Sequence, residues 1–98
     1  MIWKFSIKVT DGVQRLTIPR GSEILSVGDQ RYIPGQIQVW VKVPPETKND
    51  WFEELRSEER RLVVCGTGQI TPAPATFLGT VLQAGDALAW HVFLEGDR

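Results

Sequence analysis

From Ile37 to Val43 a branched aliphatic residue stands at every second position, with Gln38, Trp40 and Lys42 between them. Successive side chains of an extended chain point to opposite faces, so this stretch makes a strand with one aliphatic face. An amphipathic helix would need its apolar residues three to four apart. The second face carries Trp40 and is therefore not simply solvated. The same period opens the chain. Trp3, Phe5, Ile7 and Val9 alternate with Lys4, Ser6 and Lys8, and Leu16 and Ile18 alternate with Arg15 and Thr17. Thr10-Asp11-Gly12 reads as a turn, because glycine tolerates positive φ and aspartate bonds its own backbone. These two strands are expected to form a hairpin.

Turn residues punctuate the rest. Pro19 ends the second strand because it lacks the donor a ladder needs. Arg20-Gly21-Ser22 turns, Ile24 to Val27 fits a third strand, and Gly28 to Arg31 with Ile33-Pro34-Gly35 separates it from the fourth. Pro44-Pro45 stops that fourth strand. Arg60 to Cys65, Phe77 to Leu82 and Leu88 to Leu94 complete the set, and Glu95 to Arg98 reads as a tail. The polar segment 46–59 is different. Asn49 or Asp50 could cap a short helix there whose apolar side is Trp51, Phe52 and Leu55. About seven short strands at roughly 8–12-residue spacing predict an all-β, mainly antiparallel sandwich or small barrel. The sheet is expected to be antiparallel because parallel crossovers would need more helix than the chain has room for, and 98 residues predict a single domain over 1–98.

A chain of 98 residues buries one core and leaves little space for a deep catalytic cavity. Large aromatics help fill such a core, and at least two of Trp3, Trp40 and Trp90 are expected in it. Eleven Lys and Arg against twelve Asp and Glu give a net charge of −1. Nucleic acid and anionic membranes normally require a basic excess, so neither is an expected partner. Lysines interrupt the apolar residues of the opening stretch, so neither a signal peptide nor a membrane span is expected there. The single cysteine, Cys65, permits no intrachain disulfide and suits a reducing, cytoplasmic compartment.

Few residues offer chemistry. His91, the sole histidine, lies in the last strand between Trp90 and Val92. A hydrolase would pair it with Cys65 or a serine and an orienting group; a half-buried, hydrogen-bonded strand histidine is the plainer reading. No catalytic residue is assigned. One Cys and one His far apart do not make a zinc site, so no metal and no cofactor is expected. The pairs Glu53-Glu54 and Glu58-Glu59 read as a solvated face. Gly66-Thr67-Gly68 could bring backbone N–H groups to a phosphate, though it lacks the Lys-Ser/Thr and helix of a P-loop. A β-bulge or tight strand exit explains those glycines as well. Arg31-Tyr32 and Arg60-Arg61 could give a nucleotide or acidic partner guanidinium forks and an aromatic face. Trp51 and Phe52 are candidates for protein contact.

Five stretches carry a family resemblance: Ile2-Trp3-Lys4-Phe5, Ile18-Pro19-Arg20-Gly21-Ser22-Glu23-Ile24-Leu25-Ser26-Val27, Val39-Trp40-Val41, Cys65-Gly66-Thr67-Gly68, and Phe77-Leu78-Gly79-Thr80 completed by Trp90-His91-Val92-Phe93. In order and spacing they resemble a small family of proteins encoded by bacteriophages and prophages. The resemblance implies a phage-related origin and brings no activity with it. The chain departs from that pattern around Trp51-Phe52-Glu53-Glu54, and at Gln69-Ile70, where a His-Pro pair would stand.

The favoured functional expectation is a small phage-related accessory protein that acts by binding in the bacterial host cytoplasm. Its partner would be a host protein or a signalling nucleotide, and its role the blunting of an antiviral defence. The alternatives are a virion or assembly component working through protein contacts, and a small hydrolase built on His91. A homo-oligomer is also expected, because exposed strand edges must be covered: Lys4 and Lys8 blunt the first strand, whereas Ile37 to Val43 has only Lys42.

Overall fold

The computed structural model describes residues 1–9, 12–29, 35–69, 75–83 and 88–95. Seven strands form: β1 (Ile2–Lys8), β2 (Gly12–Pro19), β3 (Glu23–Gly28), β4 (Gln36–Lys42), β5 (Ser57–Gly66), β6 (Ala75–Gln83) and β7 (Leu88–Glu95). They make two antiparallel sheets, β1-β4-β3 and β2-β5-β7-β6, stacked as an open sandwich. It is not a closed barrel, since each sheet keeps two edge strands.

The alternation that predicts the strands also builds the core. Val39, Val41 and Ile37 are fully buried on the inner face of β4, and Leu62, Val64, Val92 and Leu94 meet them from β5 and β7. Ile7, Leu16, Ile18, Ile24 and Val81 close the sides. The two sheets come nearest where β3 meets β6. A Cβ on Gly79 would stand 3.0 Å from Val27 Cγ2, so a larger residue at that crossing would press on the Val27 side chain. Gln83, also buried, ties the sheets together by donating from Nε2 to the Gln36 carbonyl at 2.7 Å.

The expected β1–β2 hairpin does not form. β1 pairs with β4 (Phe5 opposite Val39) and β2 with β5 (Leu16 opposite Arg60). Two neighbouring strands with one apolar face each can share a sheet or face each other across a core, and local alternation is the same in both cases. The helix expected in 46–59 is reduced to one 3₁₀ turn, η1 (Glu54–Arg56). Neither Asn49 nor Asp50 caps it; the residue before it is Glu53, extended and without a capping side chain. Trp51 turns inward while Leu55 is exposed, so the three apolar residues share no face.

None of the three strand tryptophans is fully buried. Trp3 and Trp90 pack against the core from its margins. Trp40 lies half-buried on the outer face of the three-stranded sheet, opposite Ser26. The buried Trp90 indole N–H has no acceptor among the described residues. Among those residues no helix is long and apolar enough to cross a membrane.

Candidate functional site

A cleft of about 410 Å³ opens where β2 and β4 end and β5 begins, lined by Pro19, Arg20, Pro44, Glu46, Thr47, Lys48, Asp50, Trp51 and Arg56. That volume lies within the range of small-molecule sites, roughly 300–1,000 Å³. The walls come from the ends of strands and the irregular chain beyond them. Pro19 is the last residue of β2, Pro44-Pro45 follows the end of β4, and the chain between β4 and β5 runs through successive turns.

Three anchors hold this irregular segment. The first is aromatic: Trp51 stands edge-on to Trp3 (centroids 5.9 Å, 68°) and to Phe5 (6.0 Å, 86°), which fixes its ring at the open side of the core. The second is Arg20. Its backbone N–H donates to the Arg56 carbonyl at 2.9 Å and prolongs the β2–β5 ladder by one step. Its side chain donates from Nε to the Leu55 carbonyl at 3.1 Å and from Nη2 to the Ser57 carbonyl at 3.0 Å. The third anchor is the Thr47 hydroxyl, which donates to the Pro44 carbonyl at 2.7 Å.

The charges in the cleft are unevenly paired. Arg56 lies 3.4 Å from Asp50 and 4.0 Å from Glu53. Arg20 and Lys48 form no ion pair among the described residues. A guanidinium has five N–H donors, and Arg20 spends two on carbonyls, so three remain for a ligand on a group that cannot rotate freely. The cleft therefore offers a fixed fork, an ammonium without an ion pair among the described residues, an indole wall and the Glu46 carboxylate.

The residues singled out from sequence are dispersed. Arg60 and Arg61, being adjacent in a strand, project to opposite faces. Arg60 lies half-buried beside Glu58 at 3.4 Å, and Arg61 on the outer face pairs with Glu95 at 3.1 Å. Gly66-Thr67-Gly68 lies at the C-terminal end of β5, about 17 Å along the strand from Arg61, so the arginines and the glycine turn do not form one site. Gly68 has φ +91° and forms a tight strand exit. The Gly66 N–H is taken by the Gln69 side-chain carbonyl, and the Gln69 N–H bonds back to the Gly66 carbonyl. The turn thus has less to give a phosphate than its composition suggests. Arg31 and Tyr32 lie outside the described residues. Trp51 lines the cleft, and Phe52 is 65% exposed beside it.

His91 sits outside the cleft, between two hydroxyls. Nε2 is 2.9 Å from Thr67 Oγ1 and Nδ1 is 2.9 Å from Thr80 Oγ1. Cys65 is its cross-strand neighbour and is buried. Among the described residues no group of three His, Cys, Asp or Glu side chains could hold a metal.

Sequence reading missed Arg20, Lys48 and Arg56. The available signal was Pro19-Arg20-Gly21, a cation fixed at a strand end, and the Lys48-to-Arg56 spacing around Trp51.

Fold and cleft together define a small antiparallel β-sandwich module with an open, mixed-charge cleft at one end. The chain belongs to the family described as the domain of unknown function DUF7352, which it matches over residues 1–98. No curated protein and no solved structure matches it.

Proposed function

We propose that this chain acts by binding, and that the cleft beside Trp51 takes a small anionic ligand of the nucleotide class. The observation that carries the reading is Arg20: a guanidinium locked by two backbone carbonyls, unpaired with any carboxylate among the described residues, on the wall of a ligand-sized cleft. Arginine forks and lysine suit phosphate oxygens, and an indole face suits a base. Glu46 would accept from a sugar hydroxyl or an exocyclic amine. In the phage setting that the sequence resemblance implies, such a module would sequester a host signalling nucleotide. The surroundings of His91 support binding over hydrolysis: both ring nitrogens are engaged by threonine hydroxyls, and among the described residues no carboxylate is bonded to the ring.

The test is a fluorescence titration of the whole chain with adenosine monophosphate, and with inorganic phosphate as the smaller probe. Saturable quenching by the nucleotide is expected, weakened about tenfold or more by Lys48→Ala. No saturable change up to about 1 mM nucleotide, a free energy weaker than about 4 kcal/mol, rejects the reading.

A second reading rests on a different observation. Phe52 is 65% and Leu55 86% exposed on the lip of the cleft, which favours a host protein as the bound partner. Phe52→Ser would abolish that contact and leave the nucleotide titration unchanged.

A further inference from the structure

The outer face of the four-stranded sheet departs from the polar surface expected of a solvated antiparallel sheet. Ladder register places Val13 opposite Val63, Val63 opposite Phe93, and Phe93 opposite Phe77. This is one apolar row across all four strands. Its two ends are open to solvent, Val13 at 39% and Phe77 at 56%, and Phe77 stacks on Phe93 with ring centroids 5.4 Å apart. The neighbouring row on the same face is charged: Arg15 opposite Arg61, with Glu95 beyond it, bonded to Arg61 at 3.1 Å.

We propose that this face binds a second copy of the chain, sheet on sheet, about a two-fold axis parallel to the strands. Such an axis reverses strand order and keeps each row facing the same row. It sets β2 over β6 and β5 over β7. Val13 then meets Phe77 of the second copy, and Val63 meets its Phe93, so small residues face large ones along the whole row. In the charged row Arg61 meets Glu95 of the second copy and Glu95 meets its Arg61. The two internal pairs merge into one alternating network of four charges. The face is self-complementary in size and in sign, as an isologous interface requires. Aligned packing of twisted sheets supplies the geometry. Four strands at their usual spacing, each about eight residues long, offer a footprint of roughly 500 Å² per copy, which belongs to the weak, concentration-dependent class of interface.

Sedimentation equilibrium of the intact chain tests this over protein concentrations of about 1–200 µM, the range that brackets a weak dimer. The expected result is a reversible dimer of the 11.1 kDa chain. Phe77→Glu, and independently Val13→Lys, should raise its dissociation constant at least about tenfold with the circular dichroism spectrum unchanged. Arg61→Glu and Glu95→Arg should each weaken self-association, because each sets like charges against one another where position 61 of one copy meets position 95 of the other. An equimolar mixture of those two variants should form a heterodimer more tightly than either forms a homodimer. A monomer at every concentration overturns the proposal. So does a dimer indifferent to Phe77→Glu and Val13→Lys, or a mixture that behaves as the sum of its parts.

Discussion

Replacing Arg20 by lysine keeps the charge and removes the fork, which separates the two roles the structure gives this side chain. Two bonds are at stake, from Nε to the Leu55 carbonyl and from Nη2 to the Ser57 carbonyl. A typical intramolecular hydrogen bond contributes about 0.5–1.5 kcal/mol net. The Leu55 bond is exposed and belongs at the low end, whereas the Ser57 bond is partly buried. An ammonium can reach one carbonyl and recover part of the loss. Arg20→Lys should therefore cost about 1 kcal/mol, which in a domain of this size lowers Tm by about 4–8 °C. The loosening should be local. The Arg56 N–H, bonded to the Glu53 carbonyl at 2.8 Å within the 3₁₀ turn, should exchange with deuterium faster, while β4 and β7 amides keep their protection. Nucleotide binding should fall more steeply than stability, since lysine cannot offer a planar pair of donors. Thermal denaturation, hydrogen exchange and the nucleotide titration read the three effects. A Tm within about 1 °C of the parent, together with unchanged exchange at Arg56, would refute the argument that Arg20 anchors this segment.

Two further substitutions probe the fold and the histidine. Gly79→Ala should destabilise by about 1 kcal/mol because its Cβ presses on Val27 Cγ2, and in denaturant titrations Val27→Ala should cost less in the Gly79→Ala background than in the parent, the two sites being coupled. His91→Gln should lower stability by about 1 kcal/mol through the Thr67 and Thr80 bonds and leave nucleotide affinity within about twofold, because His91 lies outside the cleft; complete loss of binding in a folded His91→Gln protein would contradict this.

The strands were legible because their residues alternate, and alternation is a local property. Ile37 to Val43 declares its faces without reference to anything distant, and β4 runs Gln36–Lys42 as that pattern demands. Pairing is not local. Nothing in Trp3-Phe5-Ile7 says that its partner is β4 rather than β2, because both offer an aliphatic inner face of the same period. The tryptophans show the same divide. Trp3 and Trp90 have the inward parity and pack on the core's margin, whereas Trp40 takes the opposite parity within the best-patterned strand. The cleft was the least legible. Its residues are scattered over the β2–β3 turn and the chain between β4 and β5, and they are ordinary charged and turn residues. Arg60 and Arg61 stood out by being adjacent, yet adjacency in a strand sends two side chains to opposite faces.

The same dispersion explains how a site can be firm in a segment with almost no regular structure. The wall from Pro44 to Arg56 contains no ladder and only one short 3₁₀ turn. Its rigidity is borrowed from the sheets on either side. Trp51 is clamped by Trp3 and Phe5 of β1, in the three-stranded sheet. Leu55 and Ser57 are held through Arg20 by the end of β2, in the four-stranded sheet. The cleft is therefore bounded by one residue tied to each layer of the sandwich, and its width follows the spacing of the two layers. A ligand entering it meets an indole and a guanidinium already in place, so little side-chain ordering remains to oppose binding. Lys48 and Glu46 make no ion pair among the described residues, and they are the groups left to adapt to the ligand. On the proposed reading, the fixed aromatic and cationic frame would position a ligand and the two unpaired charges would adjust to it, with no part for His91, which lies outside the cleft.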